Sequence, residues 1–474
     1  MSSLFSGINV ALRAMLAHQH SIEVIEHNVS NANTPGYHRQ ETVLTAGIPT
    51  TLSSFYNVLT GGQIGTGVVV EKVKRYSYNY FDVRYRNELS DSCRWNLESE
   101  VLKQVEVSLD ETVGGGLQEK LNEFWNGWQS LSSDPTNTAL RIDLYNRATA
   151  LTDAINNTSN TLHQLQLDQN LSIQQRVEEI NTIASQIAVL NGEIAHLQAV
   201  YEQPNDLMDK RDVLLDRLSE LVGIKSNIQE NGEVIVSING HSLVTGQSAY
   251  SLTVSSDPLN AAINWEDGQS FTADSGEICA LIDVRDSIIP LQKEGLDKLA
   301  YNLVKSVNQI HNPPGMPVPD DPPYHDAGMD FFTDISDVTN AAGLIRVNPD
   351  MEDFNNIMGA SSAYPADGTI ARCIANLQST LISGLDGVTL NDFQINLTSE
   401  LGLYVQNSVR YAEDRGEIAD ALRDQRESFI GVSMDEEAAN LIKSQRAYEA
   451  AARLVTVMDE MLDTVINGMG VVGR

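Results

Sequence analysis

The chain has 474 residues, a formal net charge of −33 and a hydrophobic fraction of 42%, which is ordinary for a globular protein. Its length exceeds what one core usually holds, so we expect about three domains. The negative charge argues against nucleic acid and anionic membranes as partners, because both would repel it. No apolar run approaches the roughly 18–20 residues that cross a bilayer, and the N-terminal region lacks the features of a cleaved secretory signal.

The cysteines and the sequence motifs exclude several further classes of function. Cys93, Cys279 and Cys373 lie far apart, and their odd number prevents complete internal disulfide pairing. We interpret each as a small buried hydrophobe. No HExxH or GxSxG motif is present, and the glycine-rich residues 61–67 lack the spacing of a phosphate-binding loop. We therefore predict no enzyme, no cofactor and no metal site; the acidic residues 320–330 match no EF-hand loop, although a cation there stays open as an alternative.

The N-terminal segment predicts one amphipathic helix from Leu4 to Val29. Its apolar side chains recur at helical spacing and define one stripe: Ile8, Leu12, Met15, Ile22, Ile25 and Val29.

The residues after this segment predict that the helix ends and that the chain turns. Asn31 and Asn33 tolerate a left-handed helix cap. Thr34 is held extended by the following proline, and Pro35-Gly36 fits the central positions of a type II turn. Tyr37 can then pack back against the helix.

The middle of the chain predicts long helices around a small β unit. Residues 38–80 indicate a loop with a short strand or hairpin, and helical patterns follow over 81–109, 117–133, 137–199 and 205–221. An apolar stripe in steps of three and four marks the end of the longest helix: Ile173, Val177, Ile180, Ile183, Ile187, Leu190, Ile194 and Leu197. The simplest partner for this stripe is an antiparallel return by the next helix, although a second chain is an alternative.

The second half of the chain alternates between β and helical patterns. Residues 224–275 show period two around an Asn239-Gly240 turn and predict a hairpin unit, to which residues 343–348 could return a strand. Helices are predicted over 277–311, from 371, and over 391–429. The tryptophans and phenylalanine of the second helix of the middle region, 117–133, are best interpreted as core.

The C-terminal segment carries the longest heptad pattern of the chain. Its members are Ala438, Leu441, Gln445, Tyr448, Ala452, Val455, Asp459, Leu462, Ile466 and Met469. If this helix pairs with the N-terminal helix, the two form a coiled-coil base from which the other residues project. Because two paired helices bury little surface, we expect them to become ordered only when copies stack side by side.

Two motifs carry a resemblance to a known family. One is Ala32-Asn-Thr-Pro-Gly-Tyr37 followed by Arg39-Gln40, and the other is Gly431-Val-Ser-Met-Asp-Glu-Glu-Ala-Ala-Asn-Leu-Ile442 followed by Gln445-Arg-Ala-Tyr-Glu-Ala450. Both resemble the terminal signatures of the flagellar axial proteins, and within them most closely the hook-associated proteins of the hook–filament junction. The resemblance implies a structural, non-enzymatic component that is exported through the flagellar type III channel without a cleaved signal and resides in the extracellular flagellum.

Together these observations predict a mainly α multidomain protein with paired terminal coiled-coil helices, a helical-bundle middle domain and a smaller β-rich insertion. The predicted terminal coiled-coil domain comprises residues 1–45 and 431–474. The helical middle domain comprises residues 46–223, 276–312 and 371–430, and the β-rich domain comprises residues 224–275 and 313–370. The predicted assembly interface is the N-terminal stripe together with Leu441, Tyr448, Ala452, Val455, Leu462 and Ile466. The resemblance implies a homo-oligomeric ring or helical zone, with hook protein, a second junction protein or flagellin, and an export chaperone as partners. Alternatives are another axial protein, such as hook or distal rod protein, and a secreted coiled-coil adhesin or effector.

Overall fold

A computed structural model describes residues 2–48, 65–109, 116–200, 203–312, 329–359 and 367–468. Long helices dominate it, and a small antiparallel β unit is inserted among them, so the predicted fold class is confirmed. The helices in chain order are α1 (Ser2–Ser30), α2 (Asn79–Leu109), α3 (Leu117–Ser133), α4 (Thr138–Ala199), α5 (Asn205–Leu221), α6 (Glu277–Asp283), α7 (Ile289–His311), α8 (Ala341–Leu344), α9 (Thr369–Asn376), α10 (Leu390–Ile430) and α11 (Met434–Asp463).

In the described part of the chain, the strands form three small antiparallel sheets. They are β1 (Gln40–Ala46) with β2 (Val68–Arg75); β3 (Lys225–Ile228), β4 (Val234–Ile238), β5 (His241–Thr245) and β6 (Ser248–Ala249) in that order; and β7 (Leu252–Val254) with β8 (Ile263–Trp265). The turn between β4 and β5 is Asn239-Gly240, with φ values of 47° and 90°. Two successive positive φ angles are what a tight hairpin turn needs, so the predicted hairpin is present.

Several helix boundaries follow from local side-chain caps. The Asn137 side chain accepts a hydrogen bond from the Ala139 amide at the start of α4. Thr389 caps α10 in the same way through the Asp392 amide, and Ser433 caps α11 through the Glu436 amide. These bonds satisfy amides that a helix leaves without an internal partner.

Helix α4 is the longest element and packs against several parts of the chain. It has 62 residues and contacts α3, α5, α6 and α7. Ile173, Ile180 and Ile187 from its predicted stripe are fully buried in one cluster with Leu215 and Leu218 of α5. The partner of this stripe therefore lies in the same chain.

Asparagines on α4 hold the β unit through paired backbone hydrogen bonds. Asn191 accepts from the Val234 amide at 3.0 Å and donates to the Val234 carbonyl at 2.9 Å. Asn181 makes the same pair with Leu252, at 2.8 and 2.9 Å. Each amide side chain thus takes the place of a neighbouring strand, because it offers one donor and one acceptor to one residue's backbone.

A second cluster surrounds the aromatic residues of α3. Trp125 and Trp128 are buried with Phe331, and residues of α4, α7 and α9 complete the cluster. This agrees with the interpretation of the aromatic residues as core. Burying such large rings contributes strongly to stability.

The packing of residues 329–359 differs from the predicted grouping with the hairpin unit. These residues belong to the aromatic cluster, whereas the hairpin packs on α4, α5 and α6. Residues 343–348 add no strand to the hairpin: α8 occupies 341–344, and Val347 forms a single bridge with Phe332. The reason is that their backbone groups bond locally: the Thr333 amide donates to the Arg346 carbonyl at 3.0 Å, and the Asn348 amide donates to the Phe331 carbonyl at 2.9 Å.

The three cysteines do not share one environment. Cys279 is buried and Cys93 is half-buried, but Cys373 is exposed, so the prediction that all three are buried is wrong for Cys373. Within the described ranges, no three histidine, cysteine or carboxylate side chains come close enough to hold a metal, and no helix has the length and apolarity to cross a membrane. Residues 320–328, where a cation was left open, and most of the glycine-rich stretch, 61–64, lie outside the described residues.

Glu98 on α2 is a carboxyl buried close to the third apolar cluster, which α2, α7 and α10 share. Burial raises its pKa from 4.5 to about 7, the Arg94 charge lowers it in part, and Asp283 raises it further. Between these two pH values the folded protein therefore holds a proton that the unfolded chain has released. The folded protein is therefore most stable, as far as Glu98 is concerned, below pH 4.5, and this contribution to the free energy of unfolding is lost as the pH rises through 7.

We expect Glu98→Gln to remove this pH dependence. At pH 8 the variant should be more stable than the parent by about 1–2 kcal/mol, because the neutral amide avoids burying a charge, and at pH 5 the two should agree. The measurement is the urea midpoint at both pH values. Glu100→Gln, at an exposed position two residues away, is the control and should keep the parental profile; equal destabilisation of Glu98→Gln at both pH values would contradict the assignment.

Candidate assembly interface

The terminal helices α1 and α11 pack together as an antiparallel pair. Gly7 lies against Met458 at one end, and Asn28 bonds Glu437 at the other. The predicted pairing of the two ends is therefore present. The buried residues of α1 are mainly small or polar, namely Ala11, Ala17, Ser21, Ile25 and Asn28, and α11 together with β1 and β2 packs on this helix.

Every second position of the α11 seam lies one residue before the position that the heptad predicts. Less exposed positions recur in steps of three and four at Glu437, Leu441, Ser444, Tyr448, Ala451, Val455, Met458 and Leu462, and Asn440, Ala447 and Ala452 beside them are also half-buried. Leu441, Tyr448, Val455 and Leu462 therefore lie at the seam as predicted. Gln445 and Asp459 are exposed, so they are not its polar members, and Ala452 lies beside Ala451, which is more deeply buried.

The predicted stripe on α1 divides in the same way. Ile25 is buried, Ile8, Met15 and Ile22 are half-buried, and Leu12 and Val29 are exposed. Sequence analysis missed Ala11, Ala17 and Ser21 because it followed large apolar residues. Their small size was the available signal, since small side chains let two helices approach closely.

Both helices of the pair also expose large apolar side chains to solvent. Leu12 and Leu16 on α1 are 47% and 57% exposed, and Leu454 and Met461 on α11 are 54% and 49% exposed. Leu454, Val457 and Met461 follow one another at helical spacing, so they form a stripe, and Ile466 beyond the end of α11 is also exposed. Clustered exposed apolar side chains are typical of a protein contact surface.

The signature turn ends α1 and reverses the chain. The Tyr37 amide donates to the Thr34 carbonyl at 3.1 Å, and Gly36 has a φ of 74°, as a type II turn requires. The left-handed cap predicted at Asn31 or Asn33 is absent, since neither is among the described non-glycine residues with positive φ. Instead the Asn31 amide and side chain both donate to the His27 carbonyl, which closes the helix end.

Asn28 connects the helix pair, the turn and the β1 strand. It is fully buried, its side chain donates to the Gln40 carbonyl at 2.8 Å and to Glu437 at 3.1 Å, and it accepts from the Gln40 amide and the Tyr37 hydroxyl. Arg39 binds Glu437 and Glu436, both at 2.8 Å. The start of α11 is therefore held to the turn by charge-assisted hydrogen bonds.

A ladder of buried ion pairs joins the turn to the middle domain. Its carboxylates, Asp209, Asp212 and Asp216, lie on one face of α5, and its cations come from β2, α2 and α10. The contacts are Arg75 with Asp209 at 2.7 Å and Asp212 at 2.6 Å, Arg86 with Asp212 at 3.0 Å and Asp216 at 2.6 Å, and Arg426 with Asp216 and Asp82, each at 2.8 Å. His38, after the turn, bonds Asp209 through its backbone amide and its ring.

The ladder shifts the ionisation of its members. Burial alone would raise the pKa of Asp212, but the charges of Arg86 and Arg75 outweigh it and hold this pKa well below its ordinary range. The pairs likewise raise the pKa of the Arg86 guanidinium, although its burial acts in the opposite direction. Sequence analysis did not single out these residues; the i, i+3, i+7 spacing of the three aspartates was the available signal, but their partners lie far away in sequence.

We expect Asp212→Asn to destabilise the protein by about 3 kcal/mol, because it leaves two buried guanidinium groups without a shared carboxylate. The urea midpoint at pH 7 measures the change. Asp424→Asn is the matched control, since its side chain is 74% exposed and sits 3.8 Å from Arg423; it should change stability by less than about 0.5 kcal/mol. Equal effects of the two substitutions would show that the ladder adds nothing to stability.

We expect Gly36→Ala to destabilise the turn by about 1–2 kcal/mol through its positive φ, and further through contact with the Val213 side chain, which occupies the position of the new methyl group. Adding Val213→Ala to Gly36→Ala should restore only the stability lost through contact with the Val213 side chain. The loss caused by the positive φ should remain. Gly402→Ala, in the interior of α10 with open space around it, should be neutral or stabilising. Thermal unfolding of the variants gives the comparison, and an unaffected Gly36→Ala protein would rule out strain at this position.

Comparisons with known proteins agree with the two terminal motifs and the helical middle. Residues 102–332 match the family model described as flagellar hook-associated protein FlgK helical domain, and residues 428–468 match flagellar basal body rod FlgEFG protein C-terminal. The chain is 31% identical to flagellar hook-associated protein 1 of Bacillus subtilis (strain 168), with 100% of both chains covered. It is 24% identical to the protein of the same name from Escherichia coli (strain K12), over 98% of this chain and 100% of that one.

Among solved structures, the flagellar hook junction protein FlgK from Burkholderia pseudomallei is 22% identical, with a TM-score of 0.45 over 48% of this chain and 44% of that chain. The full-length similarity to the Bacillus subtilis protein is the finding that decides the family. The chain belongs to the flagellar hook-associated protein 1 family.

Proposed function

We propose that this protein is a structural subunit of the bacterial flagellum that assembles at the hook–filament junction through the outer faces of α1 and α11. The observation that carries the proposal is the exposed apolar stripe on a helix pair whose inner seam is already filled. Membership of the hook-associated family supports the location. No turnover is involved: the function is to present complementary helix surfaces to the subunits below and above.

The energetics of the helix pair favour side-by-side assembly. Two antiparallel helices with a seam of small residues bury little apolar surface, so the pair alone is only marginally stable. Neighbouring copies would cover the exposed half of Leu12, Leu16, Leu454 and Met461, and covering half of a side chain of this size contributes about 1 kcal/mol. A ring or short helical zone of copies is the arrangement we propose, since every copy would then be covered on both sides.

The partners and the location follow from the family rather than from a contact in the structure. Hook protein on one side, a second junction protein or flagellin on the other, and an export chaperone are the partners that we propose. We further propose that the protein leaves the cell through the flagellar export channel and resides in the extracellular flagellum.

The domain organisation that we propose keeps the terminal unit as predicted and changes the other two. Residues 1–45 with 431–474 form the terminal pair, and residues 224–275 form the hairpin unit. Residues 329–359 are assigned to the helical middle domain, because they share its aromatic cluster.

The proposal is tested in a flagellated host that lacks its own copy of the gene. Full-length protein should restore filaments, whereas Leu454→Asp combined with Met461→Asp should leave bare hooks, because two charges would lie in the proposed contact surface. Filaments are counted by electron microscopy, and the protein in the medium is measured so that failed export is separated from failed assembly. Leu403→Asp, at an α10 position 59% exposed, is the control and should restore filaments.

Normal filaments in the deletion strain would overturn the junction role and favour the alternative of a secreted coiled-coil protein. Normal filaments with the double variant would instead reject the α11 surface while leaving the location in place.

A further inference from the structure

A deep groove lies between the signature turn and the α4–α5 hairpin. Its cavity volume is about 800 Å³, and its walls come from the end of α1, the turn, one face of α4 and one face of α5. Pro35, Val189, Leu190, Val213 and Leu214 supply the apolar part of the lining. A groove of this size accommodates several side chains of a partner helix.

The surface of the groove is mostly apolar, and several polar side chains of its lining are hydrogen-bonded within the chain. Asp209 is bonded to Arg75 and His38, the Tyr37 hydroxyl donates to Asn28, and the Asn31 side chain donates to the His27 carbonyl. Val189 nevertheless remains 59% exposed and Val213 41% exposed. The groove therefore fits apolar side chains better than a polar small molecule, which needs convergent free donors and acceptors.

The groove lies on the same side of α1 as the exposed residues Leu12 and Leu16. Its lining residues His27 and Asn31 follow Leu12 and Leu16 on one helix face, in steps of four and seven through Glu23. The groove therefore opens on the face of α1 that carries Leu12 and Leu16, about 16 Å beyond Leu16 along the helix.

The antiparallel register of the helix pair indicates which part of a neighbour reaches this groove. Asn28 lies opposite Glu437, so the groove is level with the N-terminal part of α11. Met434 and Ile442 in that part are 53% and 59% exposed. In copies that stand side by side with the same orientation, residues at one level meet one another.

We propose that this groove receives the N-terminal part of α11, around Ile442, from a second copy of the chain. The signature turn then has two roles, since it reverses the chain and forms one wall of a subunit contact. This inference rests on the proposed function, because it requires copies to assemble side by side. It goes further in naming a contact between the middle domain of one copy and the terminal helix of the next.

Cysteine cross-linking in assembled flagella tests the contact. The full chain carries Val213→Cys and Ile442→Cys together with Cys373→Ser, which removes the exposed native thiol. Mild oxidation of isolated hook–filament structures should give a ladder of disulfide-linked multimers on a non-reducing gel. The pair Val213→Cys and Met461→Cys is the control and should give no ladder, because Met461 lies about 28 Å from Ile442 along α11.

A charge in the groove provides a second, independent measurement. Val189→Asp should reduce the number of filaments per cell at least tenfold while the purified monomer keeps the helix content and urea midpoint of the parent. Leu171→Asp, at an α4 position 55% exposed and about 27 Å away along the helix, should leave filament number unchanged.

The two proposals fail in different ways. If full-length protein restores filaments but the Val213–Ile442 pair gives no ladder and Val189→Asp assembles normally, the groove contact is rejected and the junction role stands. If full-length protein restores no filaments in the deletion strain, the proposed function itself is rejected.

Discussion

The shared carboxylate of Asp212 is the contact on which the arrangement of this molecule depends. It receives Arg75 from β2, which pairs with the strand that follows the signature turn, and Arg86 from the first helix of the middle domain. Buried charges are tolerated only when they are paired in good geometry, and here each charge is paired with a group from a different element. All charges of the ladder are paired only when β2, α2, α5 and α10 are packed as observed. The ladder therefore fixes the position of the middle domain relative to the residues that follow the signature turn.

The same principle of satisfied polar groups explains how a small β unit is held on a long helix. Short strands form little hydrogen bonding among themselves, so their outer backbone groups need partners. Asn181 and Asn191 provide them from α4, and Asn308 does the same from α7 for residues 329–359. One type of side chain, repeated on two helices, thus attaches both irregular parts of the chain to the helical framework.

The terminal pair stands in contrast to this well-satisfied middle. Its seam contains small residues and one buried network around Asn28, while its outer face keeps large apolar side chains in solvent. A component that joins a larger assembly benefits from such a division. The apolar clusters of the middle domain are filled by its own side chains, whereas the terminal helices keep apolar surface that neighbouring copies would cover under the proposed function.

Sequence alone determined the features that depend on local spacing. Every long helix, the Asn239-Gly240 hairpin, the Pro35-Gly36 turn and the family follow from periodicity, turn chemistry and motifs, because these are written in neighbouring residues. Only the tertiary structure decided which face of α11 forms the seam, since Ser444 and Gln445 differ by one position and periodicity cannot choose between them. It also decided that residues 329–359 join the aromatic core and that Asp212 binds Arg75 and Arg86, because those partners are brought together across more than a hundred residues by packing rather than by spacing.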